Sequence, residues 1–254
     1  MKIRAIAGNT FKEAVRDRIL YVIVFFAVVC IGLSRVLAIL TVGDRVKIIK
    51  DVGLASLSIF GVLMSIMVGT GLVYKEIDKK TIFTLLAKPI HRFQFLLGKF
   101  IGLVLTLLIM FSGMSLIFLG LVYFHTYTVE VRLLIPIAYI FIEMCLITSV
   151  ALLFSCFSTP ILSSLFTLAF FVIGHFSWGL ETLIAKIKTG FWKTAANVAY
   201  TILPDLENFN FKTEIIYSLP VEPRIYLYSL FYAAAYTAFV LALAVLVFRR
   251  RDFI

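Results

Sequence analysis

Six stretches of this chain run for twenty or more residues with almost no charge, near Ile19–Leu40, Val52–Tyr74, Phe100–Phe124, Leu133–Phe157, Ile161–Leu180 and Ile225–Phe248. A helix of about 20 apolar residues crosses the hydrocarbon core of a bilayer. In lipid every backbone amide must find its partner within the protein, which a helix supplies locally. The pattern predicts an all-α integral membrane protein with six transmembrane helices, organised as one transmembrane domain over residues 1–254. With 62% apolar and only 15% charged residues, the composition leaves no room for a separate soluble domain. The first apolar run is too long for a cleaved leader and lacks a small-residue cleavage signal, so it reads as a permanent span.

Charge orients the bundle. An even number of spans puts both ends on one side. That side collects fourteen of the 24 Lys/Arg, before the first span, in 75–99 and at Arg249–Arg251, while eight of the fourteen Asp/Glu fall on the other. The positive-inside bias then places both termini in the cytoplasm of a prokaryotic inner or plasma membrane. The net charge of +10 is accounted for by topology and by anionic lipid headgroups. No basic, aromatic-studded soluble face points to nucleic acid.

Three segments outside the spans carry pattern. In residues 1–18, Ile3, Ile6, Ala7, Phe11, Ala14 and Val15 recur at helical spacing opposite Lys2, Asn9, Lys12, Glu13 and Arg16. This is an amphipathic interfacial helix, either a membrane anchor or a lever joining a cytoplasmic partner to the first span. The cytoplasmic link 75–99 opens on Glu76 and Asp78, sets Ile82, Leu85 and Leu86 in a short apolar stripe, and stops at Pro89. Bearing charges of both signs, that helix suits a protein groove better than lipid. The outer segment 181–224 is long for a loop and partly amphipathic, which predicts a re-entrant or surface helix over a translocation path.

The link Tyr74–Phe100 resembles that of type-2 ATP-binding-cassette (ABC) exporter permeases. There an acidic residue after span two precedes a K-T-I-x-x-L-L-A-K-P-I run and a closing L-G-K; here Glu76, Thr81, Leu85, Leu86, Lys88, Pro89, Ile90, Arg92, Gly98 and Lys99 match. The leading amphipathic helix, the LPDLENFNFK run at Leu203–Lys212 and the F-x-R-R-D-type ending extend the resemblance over most of the chain. Within the family it is similar to the sodium-efflux and nitrous-oxide-reductase-maturation permeases. The resemblance implies a coupling helix, with Glu76, Thr81, Ile82, Leu85, Leu86, Lys88, Pro89 and Arg92 seated in a groove of a separate ABC-type ATPase. It also implies a second copy of the chain, or a homologous permease, to complete a dimer. ATP and Mg would then belong to the partner, since the chain has no G-x-x-x-x-G-K-[ST] phosphate loop and is not itself expected to be an enzyme.

Inside the spans, Glu143 stands near the middle of the fourth, where a carboxylate must be paired, neutral or facing a cavity. It is the candidate for the translocation path, beside a structural reading as a hydrogen-bonded bundle residue. Met64 with Met67 and Met110 with Met114 have helical spacing, but no Cys or His pair joins them and no metal is expected. Cys30, Cys145 and Cys156 read as small apolar residues, and Gly98-x-x-x-Gly102 and Ser65-x-x-x-Gly69 as close-packing points between helices. Two competing classes stand against the transporter subunit. An intramembrane enzyme would need converging nucleophiles or paired acids, and an ion-driven carrier working without ATP would need several buried ionisable groups.

Overall fold

A computed structural model of the protein describes residues 2–40, 44–78, 92–176, 193 and 204–250. Within these the regular structure is helical, with no strand. Helix α1 (Lys2–Val15) leads into α2 (Arg18–Leu40), α3 (Arg45–Asp78) and α4 (Arg92–Thr126). A 3-10 turn at Val131–Leu133 opens α5 (Leu134–Ser155), and α6 (Pro160–His175) follows. After a second 3-10 turn, Leu206–Phe209, come the short α7 (Lys212–Ile216) and the closing α8 (Pro223–Arg250).

The breaks follow local chemistry. Between α1 and α2, Asp17 turns the chain and accepts the Ile19 backbone N–H at 3.1 Å, satisfying a donor the new helix would leave bare. Pro160 starts α6 at a position where its missing N–H costs nothing.

Five described helices are long and apolar enough to cross a membrane: Arg18–Ile39, Arg45–Gly71, Arg92–Thr126, Val131–Ser155 and Pro223–Arg249. The remaining predicted span is α6, apolar but only 16 residues in length. At 1.5 Å per residue it covers roughly 24 Å, short of a ~30 Å core. Its expected continuation to Leu180 lies outside the described residues.

The bundle is built around α3 and α5, the most buried of the long helices. Helix α2 packs on α3, α6 on α3 and α5, α8 on α5 and α4, and α1 on α4. Glycines set these distances. On α3, Gly53 faces Phe118 of α4, while Gly61 and Gly69 face α5; a methyl at Gly61 would lie 2.8 Å from the Met144 sulfur, and one at Gly69 2.5 Å from the Ala151 Cβ. Across the last contact the Ser155 hydroxyl donates to the Gly69 carbonyl at 3.3 Å. Small residues let backbones meet where lipid supplies no hydrophobic drive between helices.

The same device joins α1 to α4. The Gly98-x-x-x-Gly102 pair faces a buried stripe of α1 formed by Ala7, Thr10 and Ala14, with Ile6 beside it. A Cβ at Gly102 would come within 2.6 Å of the Ala7 carbonyl oxygen and 2.7 Å of the Thr10 Cβ, and one at Gly98 within 2.8 Å of the Ile6 Cβ. Glu13, which periodicity assigns to the polar side, and Thr10, which it assigns to neither face, are drawn toward this protein contact. Thr10 is buried, and Glu13 approaches the buried Lys99 of α4 at 4.0 Å.

Gly102→Ala should therefore push α1 off α4 and destabilise the protein by about 1–3 kcal/mol. Gly113→Ala, also on α4 but facing open space, should cost nothing. Thermal unfolding in detergent checks the pair, and equal melting temperatures would remove the close contact from the account.

Candidate functional site

Two clusters at opposite ends of the bundle gather the polar residues that apolar packing leaves over. The first lies where both termini meet the start of α4. Arg92, first residue of that helix, donates from Nη1 to the Phe248 carbonyl at 2.8 Å and to the Arg249 carbonyl at 2.9 Å. These carbonyls lie in the last described turn of α8, where a cation also meets the negative end of the helix dipole. The guanidinium carbon stands 6.0 Å from the centre of the Phe248 ring, and Phe95, one turn further on, stacks on the same ring at 5.8 Å with the planes 15° apart. Lys99 continues the face, its ammonium 6.0 Å from the Phe95 ring and its side chain only 1% exposed. The first two turns of α4 are thus held between α1 and the end of α8, with both chain ends at one end of the bundle.

The residues that the sequence assigns to a partner contact precede this clamp along the chain. Helix α3 continues seven residues beyond its apolar span Arg45–Gly71, reaching Asp78 roughly 10 Å further along the axis. Glu76 lies on that extension, but its side chain is outside the described set, as are Thr81, Ile82, Leu85, Leu86, Lys88 and Pro89 altogether. Arg92 is the one member of the proposed coupling set whose side chain is placed, and it is engaged with the backbone of α8.

The second cluster is at the other end, around Glu143. The residue is 3% exposed and sits nine residues into α5, roughly 14 Å from the helix start. His175, last residue of α6, brings Nε2 to 3.6 Å from the Glu143 Oε1, too far for a hydrogen bond. Among the described residues that oxygen has no hydrogen-bond partner.

Part of the outer segment folds back over this point. A methyl at Gly174 would lie 2.7 Å from the Leu206 Cγ and 3.0 Å from the Pro204 carbonyl oxygen, so the absence of a side chain there lets the segment pass. Leu206, Phe209 and Phe211 are buried, and α7 packs on α3 and α5. The Tyr139 hydroxyl donates to the Tyr226 carbonyl at 2.6 Å, and the Phe211 ring packs against both tyrosines, 4.6 and 4.8 Å from their centres. The Asp205 N–H donates to the Tyr232 hydroxyl at 3.0 Å, and the Ser229 hydroxyl to the Asn208 carbonyl at 2.9 Å.

Lys212 opens α7 half-buried, within the field of Glu143, Glu207 and Asp51. Burial pulls its ammonium below the ordinary lysine value, against the opposing pull of those three carboxylates. Nearby, Lys50 of α3 pairs with Glu130 at 2.6 Å.

The other candidates stay apart. Met64 and Met114 are fully buried, whereas Met67 faces outward and Met110 is half-buried, so neither pair presents two sulfurs to one interior point. Among the described residues no group of three His, Cys, Asp or Glu side chains is placed to hold a metal ion. An apolar groove of about 430 Å³ between α4 and α5, bordered by Phe111, Leu116, Ile137 and Phe141, carries no charge.

Glu143 was legible as an interior acid, but not its neighbours. His175 and Lys212 lie 32 and 69 residues downstream and carry no shared spacing signal. The role of Arg92 against α8 was equally hidden, since only the fold brings residue 248 beside it.

A family model described as ABC-2 family transporter protein matches residues 4–253, almost the whole length. No curated protein matches the chain.

Arg92→Ala should free the end of α8. Charge-assisted hydrogen bonds contribute about 1.5–3 kcal/mol, so amide exchange over residues 244–250 should quicken about tenfold or more while α3 amides hold their rate. Unchanged exchange at the end of α8 would mean that the clamp does not hold it.

Proposed function

The chain belongs to the ABC-2 family of transporters, and from that premise we propose that it is the transmembrane permease subunit of an ABC exporter, driven by ATP hydrolysed on a separate ATPase subunit. The observation that carries the reading is the clamp at the start of α4. A link that receives force must deliver it to something stiff. Here it leaves one long helix, α3, and enters another whose first turns are fixed to α1 and to the end of α8. A push on residues 75–91 would therefore move three helices together.

In this mechanism residues 75–89 form the coupling helix, with Glu76, Thr81, Ile82, Leu85, Leu86, Lys88 and Pro89 toward the ATPase. Arg92 passes its motion to α8, and α1 serves as a lever rather than only an anchor. ATP binding draws two ATPases together under a dimer of this chain or of this chain with a homologous permease, and the spans alternate between two arrangements. The coupling is between binding free energy and conformation, with the chemistry confined to the partner and its ATP and Mg. Both termini face the cytoplasm of a prokaryotic inner membrane, in keeping with the basic excess at that end.

A second reading, an ion-driven carrier working without ATP, has one observation in its favour: the buried Glu143 with His175 and Lys212 around it.

Purifying the tagged chain in mild detergent separates the two. The permease reading predicts that an ATPase comes with it in stoichiometric amount, and that Glu76→Ala or Leu85→Pro removes most of that ATPase while the chain stays monodisperse. Association unaltered by both substitutions would overturn the coupling-helix assignment. Transport by the chain alone, without any ATPase, would favour the carrier.

A further inference from the structure

The apolar groove between α4 and α5 does not stop inside the membrane. It continues toward the end of the bundle opposite the chain termini, into a second hollow of about 300 Å³ that shares Leu116, Leu119 and Leu134 as walls. Leu116 and Leu134 are exposed, so the groove opens sideways out of the bundle. Gly120 lines it without a side chain to fill it, and a methyl there would meet nothing within 4 Å. From Leu108 to Tyr123 the groove follows α4 for roughly 22 Å, more than the ~15 Å of hydrocarbon in one leaflet. Its mouth is of another kind. Glu130 lines it and is held at Oε2 by the Lys50 ammonium at 2.6 Å. Arg132 stands exposed between Val131 and Leu133, both of which line the groove. At and just past the end of α4, Tyr123, Phe124 and Tyr127 are exposed, and aromatic residues of this kind favour the level of the lipid headgroups.

We propose that this groove is a binding site for one phospholipid with a primary ammonium headgroup, a phosphatidylethanolamine, taken from the leaflet on that side. One acyl chain lies between α4 and α5, the ammonium donates to the Glu130 carboxylate beside Lys50, and the phosphate faces Lys50 and Arg132. Apolar packing alone does not select the lipid, because a chain leaving the bilayer for this groove exchanges one hydrocarbon setting for another. Selection falls to the mouth, where one carboxylate and two cations complement the two charges of a zwitterion. An anionic headgroup has no cation to offer Glu130, and a quaternary ammonium has no N–H to donate to it. The site fastens the α4–α5 edge of the bundle to the bilayer, and it is independent of whether an ATPase drives the chain.

The test uses the purified full-length chain in nanodiscs holding equal amounts of phosphatidylethanolamine and phosphatidylcholine with matched acyl chains. The chain is released into mild detergent and weighed intact by native mass spectrometry. The wild type should keep one lipid per chain, enriched in phosphatidylethanolamine about tenfold, the scale of one charge-assisted hydrogen bond. Glu130→Gln should bring that enrichment close to one. Gly120→Phe, which fills the groove, should remove the retained lipid, whereas Gly113→Phe, on the same helix beside open space and lining neither hollow, should keep it. Stepwise N-methylation of the lipid amine should lower retention in steps on the unaltered chain. Equal retention of the two lipids by the wild type, preference for phosphatidylglycerol when it replaces phosphatidylcholine, enrichment that persists in Glu130→Gln, or a lipid that survives Gly120→Phe would each overturn the proposal. Should Glu130→Gln prove too unstable to weigh, the N-methylation series decides, and a flat series rejects the site.

Discussion

The close approach of α1 to α4 at Gly98 and Gly102 is the contact on which the terminal end of the bundle depends. Only hydrogen at those two positions lets the backbone of α1 come near enough for Ala7 and Thr10 to be buried. Once α1 is seated, Glu13 and Lys99 are drawn together, and α4 presents Arg92 and Phe95 to the end of α8. An amphipathic helix that could have floated on headgroups is instead part of the protein. The helix entered directly from the link is consequently the best-braced element at that end.

The opposite end is built on another principle. There, aromatic residues and single hydrogen bonds hold a short irregular segment against α5, α6 and α8, and the charges it covers are not all satisfied. In the transporter proposed above, the stiffly packed end would transmit force and the outer segment would be the part that yields.

Much of this was legible in the sequence, for reasons that also mark where legibility ended. Runs of twenty apolar residues specify helices because lipid permits little else, and five of the six runs coincide with described helices long enough to cross. Helix α6 is the instructive case: it starts at Pro160, and its described part, ending at His175, is too short to cross alone. The Gly98-x-x-x-Gly102 pattern announced a close contact without naming the partner, because spacing encodes one face of one helix and says nothing of the other. The faces of α1 were read correctly for Ala7 and Ala14, while Thr10, placed on neither face by periodicity, is buried as well, its small volume suiting a backbone contact. Glu143 stood out through the cost of burying charge, while Lys212 looked like one loop lysine among several until the fold returned it to the bundle.

The most direct test of the account is whether the start of α4 moves with α1 as one body. Spin labels on Asn9→Cys and Ile101→Cys, in a background without the three native cysteines and reconstituted with the ATPase, report the separation of α1 and α4. A second pair on Val129→Cys and Thr213→Cys reports the opposite end. The account predicts that ATP binding leaves the first distance unchanged and shifts the second. A first distance that lengthens with ATP while the second stays fixed would contradict it.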